Sequence, residues 1–185
     1  MINSLIKRKY FLSQKLQKEI FTIICTKKIN TIIIGGPKGL GKSNFTLKLA
    51  KFILCNLENT KEINLDFFED NKLDFYKLRK TKSFYLFDNN SHPDFFYLND
   101  EEKKVGKTIP IENVRKFKNF FYKTDSISRI KIGIINTIED LSLNSQNLLL
   151  KTIEELPKSS YLFIISNNPV NILETIKSRC AFFYV

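Results

Sequence analysis

One run of residues has both the residue types and the spacing of a phosphate-binding loop. The residues are Gly36, Pro37, Lys38, Gly39, Leu40, Gly41, Lys42 and Ser43, which fit the pattern G-x-x-x-x-G-K-[ST] without a mismatch. Glycines at this spacing let backbone N–H groups point at phosphate oxygens, and a helix beginning near the lysine adds its positive end. The pattern therefore predicts that all eight residues bind a nucleotide, with Lys42 at the β- and γ-phosphates and Ser43 as a ligand of Mg²⁺.

Hydrolysis at such a loop also needs an acidic residue at the end of a neighbouring strand. The candidate strand, 131–135, is followed by Asn136 and Thr137, where Asp and Glu would be expected. Asn136 is neutral and a weaker Mg²⁺ ligand than a carboxylate, and Thr137 cannot act as a base at neutral pH. Glu139 and Asp140 are expected in the turn beyond the strand. We therefore expect nucleotide binding with little hydrolysis, and the alternative is a loop kept only as a turn.

The chain around the loop alternates between helical and strand patterns. Apolar residues at helical spacing predict helices over 13–27, 42–57, 111–123 and 144–155. Apolar runs predict buried strands over 29–34, 130–135 and 161–165, with shorter strands over 95–98 and 181–185. This order predicts an α/β fold of three layers, in which a mostly parallel sheet is flanked by helices.

The middle of the chain, residues 58–108, is harder to interpret than the rest. It contains a helical stretch near 72–80 and a charged segment, 99–107, that is typical of an exposed loop. Glu101 and Glu102 could form a catalytic carboxylate pair, but a solvated turn is the stronger interpretation. No role follows from the sequence for this segment.

The charge of the chain is basic and uneven. Its 30 basic and 19 acidic residues give a net charge of +11, and residues 1–62 hold 12 of the basic and 3 of the acidic residues. Such an excess is typical of proteins with a polyanionic partner, such as a nucleotide or a nucleic acid. Lysine outnumbers arginine 25 to 5, which indicates a general compositional bias, so the charge carries little weight by itself.

Cysteine and histidine are too few and too widely spaced to predict a zinc site. The candidates are Cys25, Cys55, Cys180 and the single histidine, His92. No apolar run approaches the roughly 18 residues that a membrane helix needs. The first residues carry their charges after a short apolar start, which is the reverse of a signal peptide. We therefore expect a cytoplasmic protein without zinc and with reduced cysteines.

Four short motifs occur along the chain in the same order as in a known protein family. They are the loop at 36–43, Ser91-His-Pro-Asp94, Asn147-Leu-Leu-Leu-Lys-Thr-Ile-Glu-Glu155 and Thr175-Ile-Lys-Ser-Arg-Cys180. From about residue 13 to 185 the chain thereby resembles the N-terminal ATPase-type region of the bacterial DNA polymerase III delta-prime family of clamp-loader subunits. The Ser-Arg-Cys motif is the part that is specific to clamp loaders. The resemblance implies an AAA+ core, which agrees with the α/β prediction.

The same resemblance implies a role and partners. Arg179 would be an arginine finger that reaches the ATP site of a neighbouring ATPase subunit and stabilises charge on the transferred phosphoryl group. Without the motif around it, Arg179 would be expected to form only a surface ion pair. The implied partners are clamp-loader subunits of the ATPase and delta types, the sliding clamp indirectly, and primed DNA held through its phosphates.

The sequence also departs from the family. It lacks the four-cysteine zinc module that many delta-prime subunits carry, and it stops at Val185, before the helical lid and C-terminal collar. We therefore predict one AAA+ P-loop core domain over 1–185, either natively short or truncated. Two alternatives to an assisting clamp-loader subunit remain: a self-sufficient AAA+ ATPase of the gamma/tau type, and a non-enzymatic remnant.

Overall fold

A computed structural model describes residues 12–26, 29–59, 77–99, 108–124 and 127–185. Within them, one sheet contains strands that pair only in parallel, in the spatial order β2-β3-β4-β1-β5. The strands are β1 (Thr31–Gly35), β2 (Phe95–Asn99), β3 (Lys131–Asn136), β4 (Ser160–Ser166) and β5 (Ala181–Tyr184). The predicted α/β fold with a parallel sheet is confirmed.

Helices connect the strands and cover both faces of the sheet. They are α1 (Gln14–Thr26), α2 (Lys42–Asn59), α3 (Lys82–Asp88), α4 (Ile111–Phe120), α5 (Leu143–Glu154) and α6 (Glu174–Lys177). Short 3-10 helices span Lys77–Lys80, Ile138–Asp140 and Pro169–Asn171. The four predicted helices are confirmed, although the one predicted over 111–123 ends at Phe120 and continues as a turn. Glu101, Glu102 and most of the predicted helical stretch near 72–80 lie outside the described residues.

The core consists of two apolar layers separated by the sheet. Along β1, Ile32 and Ile34 face the layer formed with α1 and α2, while Ile33 faces the layer formed with α4 and α5. A central parallel strand is covered by helices on both faces, so its side chains are apolar at every position. This is why the strands that were predicted from continuous apolar runs lie at the centre of the sheet.

A glycine lets α4 approach the sheet closely. A Cβ atom on Gly133 of β3 would lie 2.6 Å from the ring of Phe117 and 2.5 Å from that of Phe121. These two rings pack edge to face, with centroids 5.4 Å apart. The close contact fixes the position of β3, whose carboxyl end carries part of the candidate site. Among the described helices, none is long and apolar enough to cross a membrane.

Candidate phosphate-binding site

The glycine-rich loop lies where the sequence pattern predicts it, between the end of β1 and the start of α2 at Lys42. Gly36, Gly39 and Gly41 have φ angles of 144°, 96° and 79°. Gly36 cannot be replaced without strain, because an added Cβ atom would also lie 2.7 Å from the backbone oxygen of Val185. The loop therefore has the backbone conformation that glycine allows, and it leads directly into the N-terminus of an 18-residue helix.

Lys42 is buried inside this loop and is held only by uncharged acceptors. Lys42 is only 3% exposed to solvent. The ammonium group donates to the carbonyl oxygens of Gly36 and Pro37 at 2.7 and 2.6 Å, and to Oδ1 of Asn167 at 3.1 Å. Burial lowers the pKa of Lys42, and the carboxylate of Glu139 opposes that shift. All three ammonium protons have acceptors, so contact with a phosphate requires the exchange of at least one of them.

Asn136 stands at the end of β3, beside the loop, as the sequence predicts. The Ser43 hydroxyl donates to Oδ1 of Asn136 at 2.7 Å, and Nδ2 of Asn136 donates to the Tyr97 hydroxyl at 2.8 Å. Thr137 is engaged elsewhere, because its backbone N–H and its hydroxyl both donate to Oδ2 of Asp140. The position beside the P-loop serine is therefore occupied by a neutral amide.

Two residues of the site, Glu139 and Asn167, were missed by the sequence analysis. Glu139 was predicted to lie in the turn after β3. It lies there in the 3-10 helix Ile138–Asp140, and its Oε1 reaches the end of β4. There it accepts hydrogen bonds from the Ser166 hydroxyl and, at 2.9 Å each, from the backbone N–H groups of Asn167 and Asn168. Glu139 thereby orients the segment that carries Asn167 toward Lys42. The polar run that follows β4 was the available signal.

The side chains directly beside Ser43 do not fit a divalent cation well. Mg²⁺ in proteins is bound through one or two carboxylates together with substrate phosphates. The Ser43 hydroxyl and the Asn136 amide supply no carboxylate oxygen. Glu139 is held at the end of β4, where its Oε1 accepts three hydrogen bonds, and its Oε2 is buried without a hydrogen-bond partner among the described residues. In the described part of the chain, no group of three His, Cys, Asp or Glu residues could hold a metal ion. The assignment of Mg²⁺ to Ser43 stays a prediction.

Arg179 lies near the amino ends of the strands, whereas the phosphate loop lies at their carboxyl ends. It precedes Ala181, the first residue of β5, which pairs in parallel with β1 so that Tyr184 is level with Gly35. The strand between these levels is about 10 Å long. Nε of Arg179 forms an ion pair with Oε1 of Glu154 at 2.8 Å, and the two side chains are 42% and 49% exposed. Arg179 is therefore separated from the chain's own phosphate loop.

The three cysteines are free thiols. Burial raises the pKa of Cys55 and of Cys180 to about 12, so both thiols are protonated at neutral pH. Cys180 packs against the apolar layer formed with α4 and α5. Cys180 is therefore a packed residue beside Arg179.

The segment Ser91-His-Pro-Asp94 contributes to a buried polar cluster, which we call the His92 cluster (Ser83, His92, Asp94, Ser128 and Lys131). Oδ2 of Asp94 accepts from the backbone N–H of Ser128 at 3.0 Å, and Oδ1 forms an ion pair with Lys131 at 3.4 Å. Nδ1 of His92 accepts from the backbone N–H of Asp94 at 3.1 Å. The cluster lies at the amino ends of β2 and β3, whereas the phosphate loop lies at the carboxyl ends of the strands. It therefore positions these strands and does not contribute to the phosphate site.

Comparisons of sequence identify relatives of this chain. A family model described as "DNA polymerase III, delta subunit" matches residues 12–185. A DNA polymerase III subunit delta′ of Buchnera aphidicola subsp. Baizongia pistaciae is 27% identical over 173 residues, which are 92% of this chain and 48% of that protein. The subunit delta′ of Pseudomonas aeruginosa is 29% identical over 148 residues, 80% of this chain and 40% of that protein. A DNA polymerase III subunit gamma of Buchnera aphidicola subsp. Schizaphis graminum is 26% identical over 151 residues, 82% of this chain and 36% of that protein.

A solved structure has the same fold. It is the crystal structure of a DNA polymerase III, gamma subunit-related protein from Thermotoga maritima, with a TM-score of 0.58 and 17% sequence identity. The match covers 92% of this chain and 45% of that one. The chain thus spans less than half the length of each of these relatives.

Proposed function

Because the chain belongs to the DNA polymerase III delta subunit family, we propose that it acts as a clamp-loader subunit in DNA replication. In this proposal it works in the cytoplasm with clamp-loader subunits of the ATPase and delta types. Through them it acts on the sliding clamp and on primed DNA. Its AAA+ core binds ATP at residues 36–43, does not hydrolyse it alone, and supplies Arg179 to a neighbouring ATPase subunit.

The observation that carries the proposal is a complete phosphate loop beside a neutral strand end. The loop has its glycine conformations and its buried Lys42, which support nucleotide binding. The Ser43 hydroxyl donates to Asn136, where hydrolysis calls for a carboxylate. This combination favours a subunit that binds nucleotide and assists hydrolysis elsewhere.

The surroundings of Arg179 are compatible with action on another subunit. Its guanidinium is half exposed and lies away from the chain's own loop. An exposed ion pair such as that with Glu154 contributes only about 0–1 kcal/mol, so Arg179 can leave it for a phosphate. The backbone oxygen of Thr175 also accepts from Arg179, at 2.9 Å, which orients the side chain from its own helix.

The test is ATP turnover by a reconstituted clamp loader that contains the full-length protein. We expect Arg179→Ala to lower turnover at the site that it serves by about 10³-fold or more, the usual effect of an arginine finger. Glu154→Gln is the matched control, because it removes the ion pair and keeps the guanidinium. Unchanged turnover with Arg179→Ala, or an equal loss with Glu154→Gln, would show that Arg179 is not a finger.

A second candidate, a self-sufficient ATPase, is favoured by the similarity to a subunit gamma. Asn136 and Thr137 count against it, because neither can serve as the acid or base of hydrolysis. Turnover by the purified chain without partners would favour this candidate. A folded chain with no affinity for nucleotide would instead favour the third candidate, a non-enzymatic remnant.

A further inference from the structure

We propose that the phosphate site takes its nucleotide without help from a divalent cation, and that Asn136 is the residue responsible. The inference rests on the proposed nucleotide binding and specifies its ligand: a free nucleoside polyphosphate is bound about as tightly as its magnesium complex. The argument starts from the Ser43 hydroxyl, which is the side chain that the loop offers to a metal ion.

The hydrogen bond from Ser43 to Asn136 decides how good a ligand that hydroxyl is. A carboxylate acceptor would strengthen the bond, increase the negative charge on the serine oxygen and offset the charge of a nearby cation. Asn136 accepts the same bond at 2.7 Å with a neutral amide oxygen. The serine oxygen therefore gains less negative charge, and the cation loses its counter-charge.

The remaining contacts of Asn136 do not restore that charge. Its Nδ2 donates to the Tyr97 hydroxyl at 2.8 Å, so the far side of the amide meets a neutral phenol. Tyr97 and Asn136 come from the adjacent strands β2 and β3, which pair in parallel and fix the two side chains relative to each other. The three side chains that these hydrogen bonds join, Ser43, Asn136 and Tyr97, are all uncharged.

Positive charge is already present on the other side of the loop. Lys42 donates only to the uncharged oxygens of Gly36, Pro37 and Asn167, so its charge is available to an entering anion. The N-terminus of α2 adds to it. The carboxylate of Glu139 offsets part of this charge from the Lys42 side of the loop, but a divalent cation beside Ser43 has no carboxylate at Asn136 to stabilise it. Lys42 and the helix thus supply the electrostatic stabilisation of the phosphates.

The experiment is a titration of the full-length protein with ADP, by calorimetry, in excess Mg²⁺ and again in EDTA. For the wild type we expect the two Kd values to agree within about threefold, because the coupling between cation and nucleotide is weak. For Asn136→Asp, Mg²⁺ should tighten binding by about tenfold or more, since the carboxylate restores the coupling. Tyr97→Phe is the matched control and should keep the wild-type ratio.

Each outcome decides the inference. A wild-type Kd that Mg²⁺ tightens by about tenfold overturns it and leaves the proposed function intact. Asn136→Asp that folds and binds ADP but gains no dependence on Mg²⁺ also overturns it. If that variant does not fold, the wild-type ratio alone decides. No ADP binding in either medium by a folded wild type would overturn both this inference and the nucleotide binding on which it rests.

Discussion

Lys42 and Lys131 are both buried lysines, 3% and 2% exposed, yet their surroundings differ in charge. Lys131 faces the carboxylate of Asp94 and lies 4.8 Å from the centre of the Phe120 ring. Lys42 is held by two carbonyl oxygens and an amide oxygen. Burying a cation is costly unless its charge is compensated. Lys131 forms an ion pair within the fold, whereas Lys42 donates to no carboxylate and interacts with Glu139 only without a hydrogen bond. The hydrogen-bond acceptors therefore distinguish a structural lysine from one that can bind an anion.

The largest effect expected from this comparison is the loss of folding stability when Lys131 is deprived of its ion-pair partner, Asp94. Asp94→Ala leaves Lys131 buried without its counter-charge and removes the acceptor of the backbone N–H groups of Ile127 and Ser128. We expect the free energy of unfolding to fall by about 3–5 kcal/mol, measured by urea denaturation.

The matched control for Asp94→Ala is Glu174→Ala, which breaks the exposed pair with Lys177. The change in unfolding free energy there should stay within about 0.5 kcal/mol. Equal losses for the two variants would mean that the Asp94–Lys131 pair is no more important to the fold than a surface contact.

A smaller effect concerns the pH dependence of the same region. Burial lowers the pKa of His92, against the opposing effects of the Asp94 and Glu58 carboxylates, and Lys131 lowers it further. Below about pH 6.5, the unfolded chain therefore binds a proton more readily than the folded one, and stability falls as the pH is lowered toward the folded pKa.

His92→Asn tests this sign, because asparagine can still accept the backbone N–H of Asp94 that Nδ1 of His92 accepts. Unfolding free energies at pH 7.5 and pH 5 should differ less in the variant than in the wild type. Parallel pH profiles for the two proteins would show that His92 is not the titrating group.

The parts of the fold that could be predicted from sequence are those fixed by local pattern. The continuous apolar runs around Ile33 and Ile134 identified central strands, because only strands covered on both faces are apolar at every position. Asn136 was found by counting to the end of a strand, and the loop at 36–43 by its glycine spacing. Each of these signals lies within a few residues of the feature that it predicts.

The parts that could not be predicted depend on which strands are neighbours. Glu139 reaches Asn167 because β3 and β4 are adjacent parallel strands whose carboxyl ends lie side by side. The order of strands in the sheet cannot be deduced from any local sequence pattern. The pair between Arg179 and Glu154 likewise joins the turn before β5 to the end of α5. The Ser91–Asp94 motif was recognised only by resemblance, and its structural role became clear from the buried contacts of His92 and Asp94.

The most direct test of the central claim is ATP binding and turnover by the purified chain, wild type beside Lys42→Ala. Loss of the ammonium group removes charged hydrogen bonds to phosphate, each contributing about 1.5–3 kcal/mol, so affinity should fall tenfold to a hundredfold. Unfolding free energy should change little, because the relief of burying a charge is offset by the loss of its hydrogen bonds and of its attraction to Glu139. The account predicts binding that depends on Lys42 and no turnover by either protein. Equal binding by the two proteins, or ATP hydrolysis by the wild type alone, would contradict it.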